Sequence, residues 1–261
     1  MITAIIQARM GSTRLPGKVL KEISGHSMLW HVVTRVRQAN TLDQVVVATS
    51  DKVSDDAIAS FCEQEGFLCF RGSESDVLDR YYQAARWAGA TVVVRITADC
   101  PLIDPVVIDQ VVSAYLENDC DYANNVMQRT YPDGLDAEAF SFEALAQAWR
   151  KANLLSEREH VTTYIRKNKD LFTLIGIKQE QDLSELRWTV DHPEDLVFIR
   201  EIYKGLYQPN KIFLAEEIVD FLKQRPDLLK INQQFKTGEG YLRSLQRDRI
   251  VSLPVQSDDG S

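Results

Sequence analysis

The chain predicts a doubly wound α/β fold built on a mainly parallel sheet. Three observations carry that expectation. Short apolar runs at 2–6, 45–49 and 91–96 read as strands buried on both faces. Segments with helical spacing separate them, the alternation that parallel sheets require. The polar loops at 8–18, 49–51, 71–80 and 97–104 all follow predicted strand ends, where ligands bind in such sheets.

The elements follow in order. After the first strand, Ser27 is a helix cap, and Leu29, Val32, Val33 and Val36 share one face of the helix it opens. The second strand, 45–49, leads to a helix over 54–65 that begins Ser54-Asp55-Asp56. A short strand at 67–70, a helix at 76–88, the strand at 91–96 and a helix at 105–118 complete the alternation. Crossovers in such a sheet are expected to be right-handed.

From about 120 to 186 the rhythm changes. Strands are expected at 121–126, 137–140 and 172–178, with helices at 141–152 and from Ser156, a capping-box start, to about 168. This stretch reads as an insertion that covers the ligand and supports a homodimer. Residues 187–190 return as a core strand and 194–205 as a helix, closing a main domain over 1–205. Residues 206–261 form an appendage with one helix at 214–224 and a disordered end at 256–261.

Composition narrows the function. The 44% apolar content of 261 residues supports a sizeable core, and the net charge of -8 argues against broad nucleic-acid binding. Cys62, Cys69, Cys100 and Cys120 form no C-x-x-C pair, so free thiols in a reducing compartment are expected. The opening apolar run is too short for a signal peptide and is cut by Arg9; no run is long enough to span a membrane. The expected location is cytoplasmic.

The loop at 8–18 carries Arg9, Gly11, Ser12, Arg14, Gly17 and Lys18. Cations with exposed amides between them suit a polyphosphate, although a solvated basic turn has the same composition. It is neither a P-loop nor a dinucleotide fingerprint: five residues separate Gly11 from Gly17, and Val19 follows Lys18. Asp99 and Asp191 each lie just past an apolar run. Either alone reads as a cap or loop acceptor. Together, at strand ends of one sheet, they can hold Mg²⁺ against nucleotide phosphates.

Ala8-Arg9 followed by Arg14-Leu15-Pro16-Gly17-Lys18 resembles the signature of the cytidylyltransferases that make CMP-activated acidic sugars. Val190-Asp191-His192-Pro193-Glu194-Asp195-Leu196 resembles that family's second motif, with His192 where the family has Thr. Tyr131 to Glu138 and Glu159-His160 resemble the branch named for the spore-coat polysaccharide protein SpsF. The resemblance spans residues 1–205. It implies a nucleotide-diphospho-sugar transferase-like fold that transfers CMP from CTP to a sugar or sugar acid with release of pyrophosphate, in surface polysaccharide synthesis. It makes Asp99 and Asp191 the Mg²⁺ ligands, and puts Arg14 and Lys18 on the leaving phosphates. Ala8, Arg9, Gly11, Ser12, Ala48, Thr49, Arg71 and Gly72 would surround the nucleotide, with Asp76 and Arg80 beside them. Asn124, Asn125, Asp133, Asp136, Glu138 and His160 would face the acceptor. Open alternatives are another nucleotidyl- or glycosyltransferase of this fold, or a nucleotide-binding scaffold without turnover; glycosyltransferases of this fold usually show Asp-x-Asp at the metal, and Cys100 and Pro101 after Asp99 weaken that reading.

Overall fold

A computed structural model describes residues 1–251. Its first strand, β1 (Ile2–Gln7), is followed by a small hairpin, β2 (Glu22–Ile23) and β3 (His26–Ser27), and by α1 (Met28–Val36). Then come β4 (Gln44–Ser50), α2 (Asp56–Glu65), β5 (Leu68–Gly72), α3 (Val77–Trp87), β6 (Val92–Thr97) and α4 (Pro105–Glu117). The central stretch supplies β7 (Tyr122–Asn124), β8 (Glu138–Ser141), α5 (Phe142–Lys151), α6 (Leu155–Glu159), α7 (Thr163–Lys167) and β9 (Leu174–Gly176). The chain ends in α8 (Pro193–Leu206), α9 (Ala215–Gln224) and α10 (Glu239–Gln246).

The sheet has seven strands in the order β5-β4-β1-β6-β8-β7-β9. β5, β4, β1 and β6 are mutually parallel; β8 runs antiparallel to β6 and β7, and β9 is parallel to β7. Strand alternation sends Ala4, Ile6, Val45, Val47, Val94 and Ile96 to one face, against Leu29 and Val33 of α1, Ile58 of α2 and Ile108 of α4. Ile5, Ala48 and Val93 go to the other, against Leu78 and Tyr81 of α3 and Leu145 of α5. Helices on both faces bury most of the central strands, which is why these runs are mainly apolar.

A third apolar cluster lies beyond the strand ends. It joins Leu15, Leu102, Tyr131, Leu135, Trp188 and Val190 to Phe198, Ile199 and Ile202 of α8. Phe213, Ile218, Leu222 and Leu228 belong to the same cluster, so much of the stretch after residue 206 packs into the core instead of trailing from it. The predicted end at 256–261 lies outside the described residues.

Several local expectations are corrected. Residues 187–190 are not a sheet strand. They run extended between two loops, with Trp188 N donating to Asp133 O at 2.6 Å and Val190 N to Asp99 O at 2.8 Å. β6 already has β1 and β8 as neighbours, so no edge is free for them. The helix expected from Ser156 to 168 is broken, because Val161 takes φ 47, a left-handed conformation that a β-branched residue adopts only under strain. Its start is capped by Glu157, which accepts from Asn153 N and Leu154 N, and not by Ser156. The β2–β3 hairpin was too short to show in the sequence; Ser24 and Gly25, φ 47 and 89, make its two-residue turn. Ser27 caps α1 as expected, accepting from Trp30 N at 3.1 Å.

His31 on α1 is 2% exposed, and its Nε2–H donates to the Ile23 carbonyl at 2.7 Å. Burial lowers its pKa to about 4, opposed by that hydrogen bond and assisted by His26 and Arg35. His160 is lowered to about 4 as well, by burial first and then by Arg95 and Arg166. Both are neutral in the folded chain and take up a proton in the unfolded one as pH falls below 6.5. Stability is therefore full above pH 6.5 and declines between 6.5 and about 4, by on the order of 3 kcal/mol for His31. His31→Gln is expected to flatten that slope in part, leaving the His160 share; an unchanged slope in urea titrations across this range would refute the assignment.

Candidate active site

The loop after β1 curls around one carbonyl. Ser12 N and Gly17 N both donate to Met10 O, at 2.8 and 3.1 Å. Gly17 takes φ 66, which lets the chain reverse and start a single 3₁₀ turn at Lys18. Met10 N is tied to Asp55 Oδ1 at 2.8 Å, fixing the loop over the end of β4. Lys18 is thereby turned inward and is only 8% exposed.

Its ammonium meets both acidic residues singled out in the sequence. Nζ donates to Asp99 Oδ2 and to Asp191 Oδ1, each at 2.9 Å, and to the Val190 carbonyl at 2.7 Å. Burial alone would lower the Lys18 pKa, but Asp99 and Asp191 outweigh it and the net shift is upward. Burial would likewise raise Asp191; Lys18, then Arg14, reverse that and hold its carboxyl well below the usual range. Arg14 Nη2 lies 2.8 Å from Asp191 Oδ1. Arg14, Lys18, Asp99 and Asp191 thus form one connected group.

A buried residue without a motif stands behind it. Arg187 reaches Asp195 through Nε and Nη2 at 2.9 and 3.0 Å, and Asp133 and Asp191 at 3.3 Å each. Asp195 Oδ2 accepts from the backbone of Asp191 and His192, so the first turn of α8 and the Asp191 loop are one unit. The recurrence of Arg187, Asp191 and Asp195 at intervals of four was the signal available in the sequence. Gly134 lets the 131–138 turn press on this segment: at φ 118, a Cβ there would meet the Trp188 carbonyl carbon at 2.6 Å.

The residues expected around the nucleotide gather at adjoining strand ends. Ala8 N donates to Ala48 O at 3.1 Å, and Thr49 pairs with Arg71 across β4 and β5, as Ser50 does with Gly72. Gly11 and Ser12 lie in the curled loop, where Ser12 Oγ accepts from Leu15 N. Arg71 binds Ser50 O, Lys52 O and Asp56. Buried Arg80 donates to Ser73 O. Arg9 is exposed, with no hydrogen bond or ion pair to its side chain among the described residues. Asp76 is committed elsewhere: it caps α3 and pairs with Arg158 at 2.6 Å, not with Arg80.

The residues expected to face the acceptor divide. Asp136 is held by both terminal nitrogens of Arg129 at 2.6 and 2.7 Å, with its side chain partly exposed. Asp133 is more enclosed; burial, then its neighbour Asp136, raise it to about 6 against Arg129 and Arg187. Asn124 is spent on Ile175 O and on the amides of Val126 and Met127, and Asn125 on Leu135 O and Ala137 N. Glu138 is 2% exposed and enclosed by Arg95, Tyr122 and Thr162. Burial would raise it, yet Arg95 and Arg166 bring it down to about 2. These three hold the 124–138 stretch together from within. His160 binds Ser244 Oγ at 2.7 Å, a partner from the C-terminal helix that no sequence pattern announced.

A cationic loop after β1, one carboxylate just past β6 and another just before α8, on a doubly wound, mainly parallel sheet, define a nucleotidyltransferase. The chain belongs to the cytidylyltransferase family, whose model matches residues 3–226. The spore coat polysaccharide biosynthesis protein SpsF of Bacillus subtilis is 35% identical over 233 residues, 87% of this chain and 95% of SpsF. A 3-deoxy-manno-octulosonate cytidylyltransferase of Geobacter sulfurreducens is 39% identical over 117 residues, 45% of this chain and 46% of that enzyme. The structure of a cytidylyltransferase from Leptospira borgpetersenii superposes with a TM-score of 0.84 at 32% identity, covering 90% of this chain and 98% of that one.

Gly134→Ala should displace the 131–138 turn from Trp188. The expected loss is about 2 kcal/mol or more of stability, with most of the activity. A melting temperature within a degree of the wild type would show that the close approach is not real.

Proposed function

We propose that this enzyme transfers CMP from CTP to the hydroxyl of a sugar or sugar acid, releases pyrophosphate, and serves surface polysaccharide synthesis in the cytoplasm. The observation that carries the proposal is the Lys18 ammonium bridging Asp99 and Asp191, residues 92 positions apart that meet opposite the cationic loop. The relatives named above support cytidine as the base and an acidic sugar as the acceptor class.

The residues fit Mg²⁺. Asp99 and Asp191 are both oxygen donors, drawn within reach of one cationic atom. Among the described residues Asp99 Oδ1 is left with only a long contact to the Cys100 thiol at 3.6 Å. Among the described residues no group of three or more His, Cys, Asp or Glu side chains could form a metal cage. Mg²⁺ suits such a sparse set, since it takes one or two carboxylates and fills its remaining positions with water and phosphate oxygens. Bound there, it would supply Lewis-acid polarisation of the α-phosphate and favour the alkoxide of the acceptor.

The chain's own side chains do the remaining work by position and charge. Arg14 and Lys18 offer donors to the β- and γ-phosphates and neutralise the charge that grows on pyrophosphate as it leaves. Arg187 and Asp195 keep the Asp191 loop from shifting when its carboxylate changes partners. The backbone at Ala8, Ala48 and Thr49 is lined by small groups, so a flat base can lie close to the strand ends. Asp133 and Asp136 face the acceptor hydroxyls. The insertion over 120–186 is proposed as the homodimer contact.

The test is pyrophosphate release with each nucleoside triphosphate and Mg²⁺ over a panel of sugar acids, with CMP conjugates read by mass spectrometry. CTP should be the productive donor. Asp99→Asn and Asp191→Asn should each abolish transfer while the chain stays folded, as read by circular dichroism, with a melting temperature lowered by the lost ion pairs. An active Asp99→Asn protein would remove Asp99 from the mechanism, and release from another triphosphate alone would replace cytidine.

A further inference from the structure

The C-terminal stretch beyond the family match has its own place over the cleft. Asn232 is 3% exposed and donates to Arg187 O and Asp195 Oδ1, at 3.0 and 3.1 Å. The Phe235 ring stacks on His192 at 3.8 Å with an interplanar angle of 2°. The Lys236 carbonyl accepts from Arg187 Nη1 at 3.4 Å. At the far end, Ser244 binds His160, and Tyr241 meets the same imidazole edge-on at 5.2 Å. Asp248 accepts from Ser156 N and Oγ, both at 2.9 Å, and Arg249 O accepts from Leu155 N at 3.0 Å. One segment therefore joins the Asp191 loop, on the donor side, to His160, on the acceptor side.

Between those anchors lies Glu239, the first residue of α10. Its Oε2 is 3.7 Å from Arg14 Nη1, 3.4 Å from His192 Nε2 and 3.4 Å from Arg243 Nη2. This donor set, two guanidiniums and an imidazole N–H, would suit a phosphate oxygen equally well. Arg14 Nη2 is already on Asp191, so Nη1, on the side of Glu239, remains for an incoming phosphate. A carboxylate and a phosphate sharing that edge would repel at short range.

We propose that residues 232–249 are a strap across the cleft, and that the Glu239 carboxylate stands in for a donor phosphate on Arg14 until the nucleotide displaces it. Glu239 is a positioning residue: it keeps Arg14 turned into the cleft and gives way to the polyphosphate. Because the same helix holds His160 through Ser244 and Tyr241, release at Glu239 also frees the acceptor end. Donor binding then precedes acceptor entry. His192, beside Asp191, is the residue that Phe235 and Glu239 both grip. The inference depends on the cleft binding CTP, as proposed above.

Hydrogen exchange on the full chain, with and without CTP and Mg²⁺ and with no acceptor, tests it. The expected result is slower exchange in 8–18 and faster exchange in 232–249. Glu239→Gln should raise exchange in the strap before nucleotide is added and tighten CTP roughly two- to fivefold, the scale of a partly exposed ion pair. Glu239→Asp should stay near the wild type. Slower exchange in 8–18 with the strap unchanged or slowed overturns the strap while leaving the CTP site standing. Weaker CTP binding by Glu239→Gln overturns it too. No response of 8–18 to CTP removes the donor site and the strap together.

Discussion

The site depends on one ammonium group. Lys18 is anchored by two carboxylates and a carbonyl that come from two separate loops, after β6 and before α8. Without that bridge, Asp99 and Asp191 would be neighbouring negative charges with nothing between them. Removing one partner of a buried ionic group typically costs about 3–5 kcal/mol, less here because both carboxylates are about a quarter exposed. That partial exposure also makes them usable. A fully enclosed pair could not change partners when a ligand arrives.

The rest of the structure keeps this meeting point in place. Parallel strands bring the ends of β1, β4, β5 and β6 to one side of the sheet, so the loops that follow them are neighbours by topology. Arg187 then ties the Asp191 loop to the 131–138 turn, and Asp195 ties it to the first turn of α8. Three cationic groups interleave with four carboxylates: Arg14, Lys18 and Arg187 with Asp99, Asp133, Asp191 and Asp195. Such a network is stiff in its backbone and adaptable in its pairings, which suits phosphoryl chemistry with little covalent work for the protein.

The sequence disclosed this unevenly, for physical reasons. The central strands were legible because burial on both faces demands unbroken apolar runs such as Val45-Val46-Val47. Arg14, Lys18, Asp99 and Asp191 are legible because charged loops at fixed spacing from apolar runs have few purposes. Residues 187–190 were misread because Trp188 and Val190 are as apolar as a strand, yet they fill the third cluster and bond to loops. Glu138 ends a motif, Tyr131 to Glu138, whose polarity suggests an open surface, and Asn124 and Asn125 lie upstream of it, whereas the fold turns all three inward onto Arg95, Ile175 and Ala137. Glu239, Phe235 and Ser244 had no local pattern at all. Their meaning comes from contacts with residues 43 to 225 positions away along the chain.

The central claim is that Asp99 and Asp191, brought together by Lys18, are the two protein ligands of the metal–nucleotide complex. A crystal grown with CTP and Mn²⁺, with Mn²⁺ located by its anomalous signal, tests it most directly. The account predicts a single peak coordinated directly by both carboxylates and by CTP phosphate oxygens, with the Lys18 ammonium moved onto phosphate. A metal bound away from either carboxylate, or CTP phosphates lying outside the reach of Arg14 and Lys18, would contradict it.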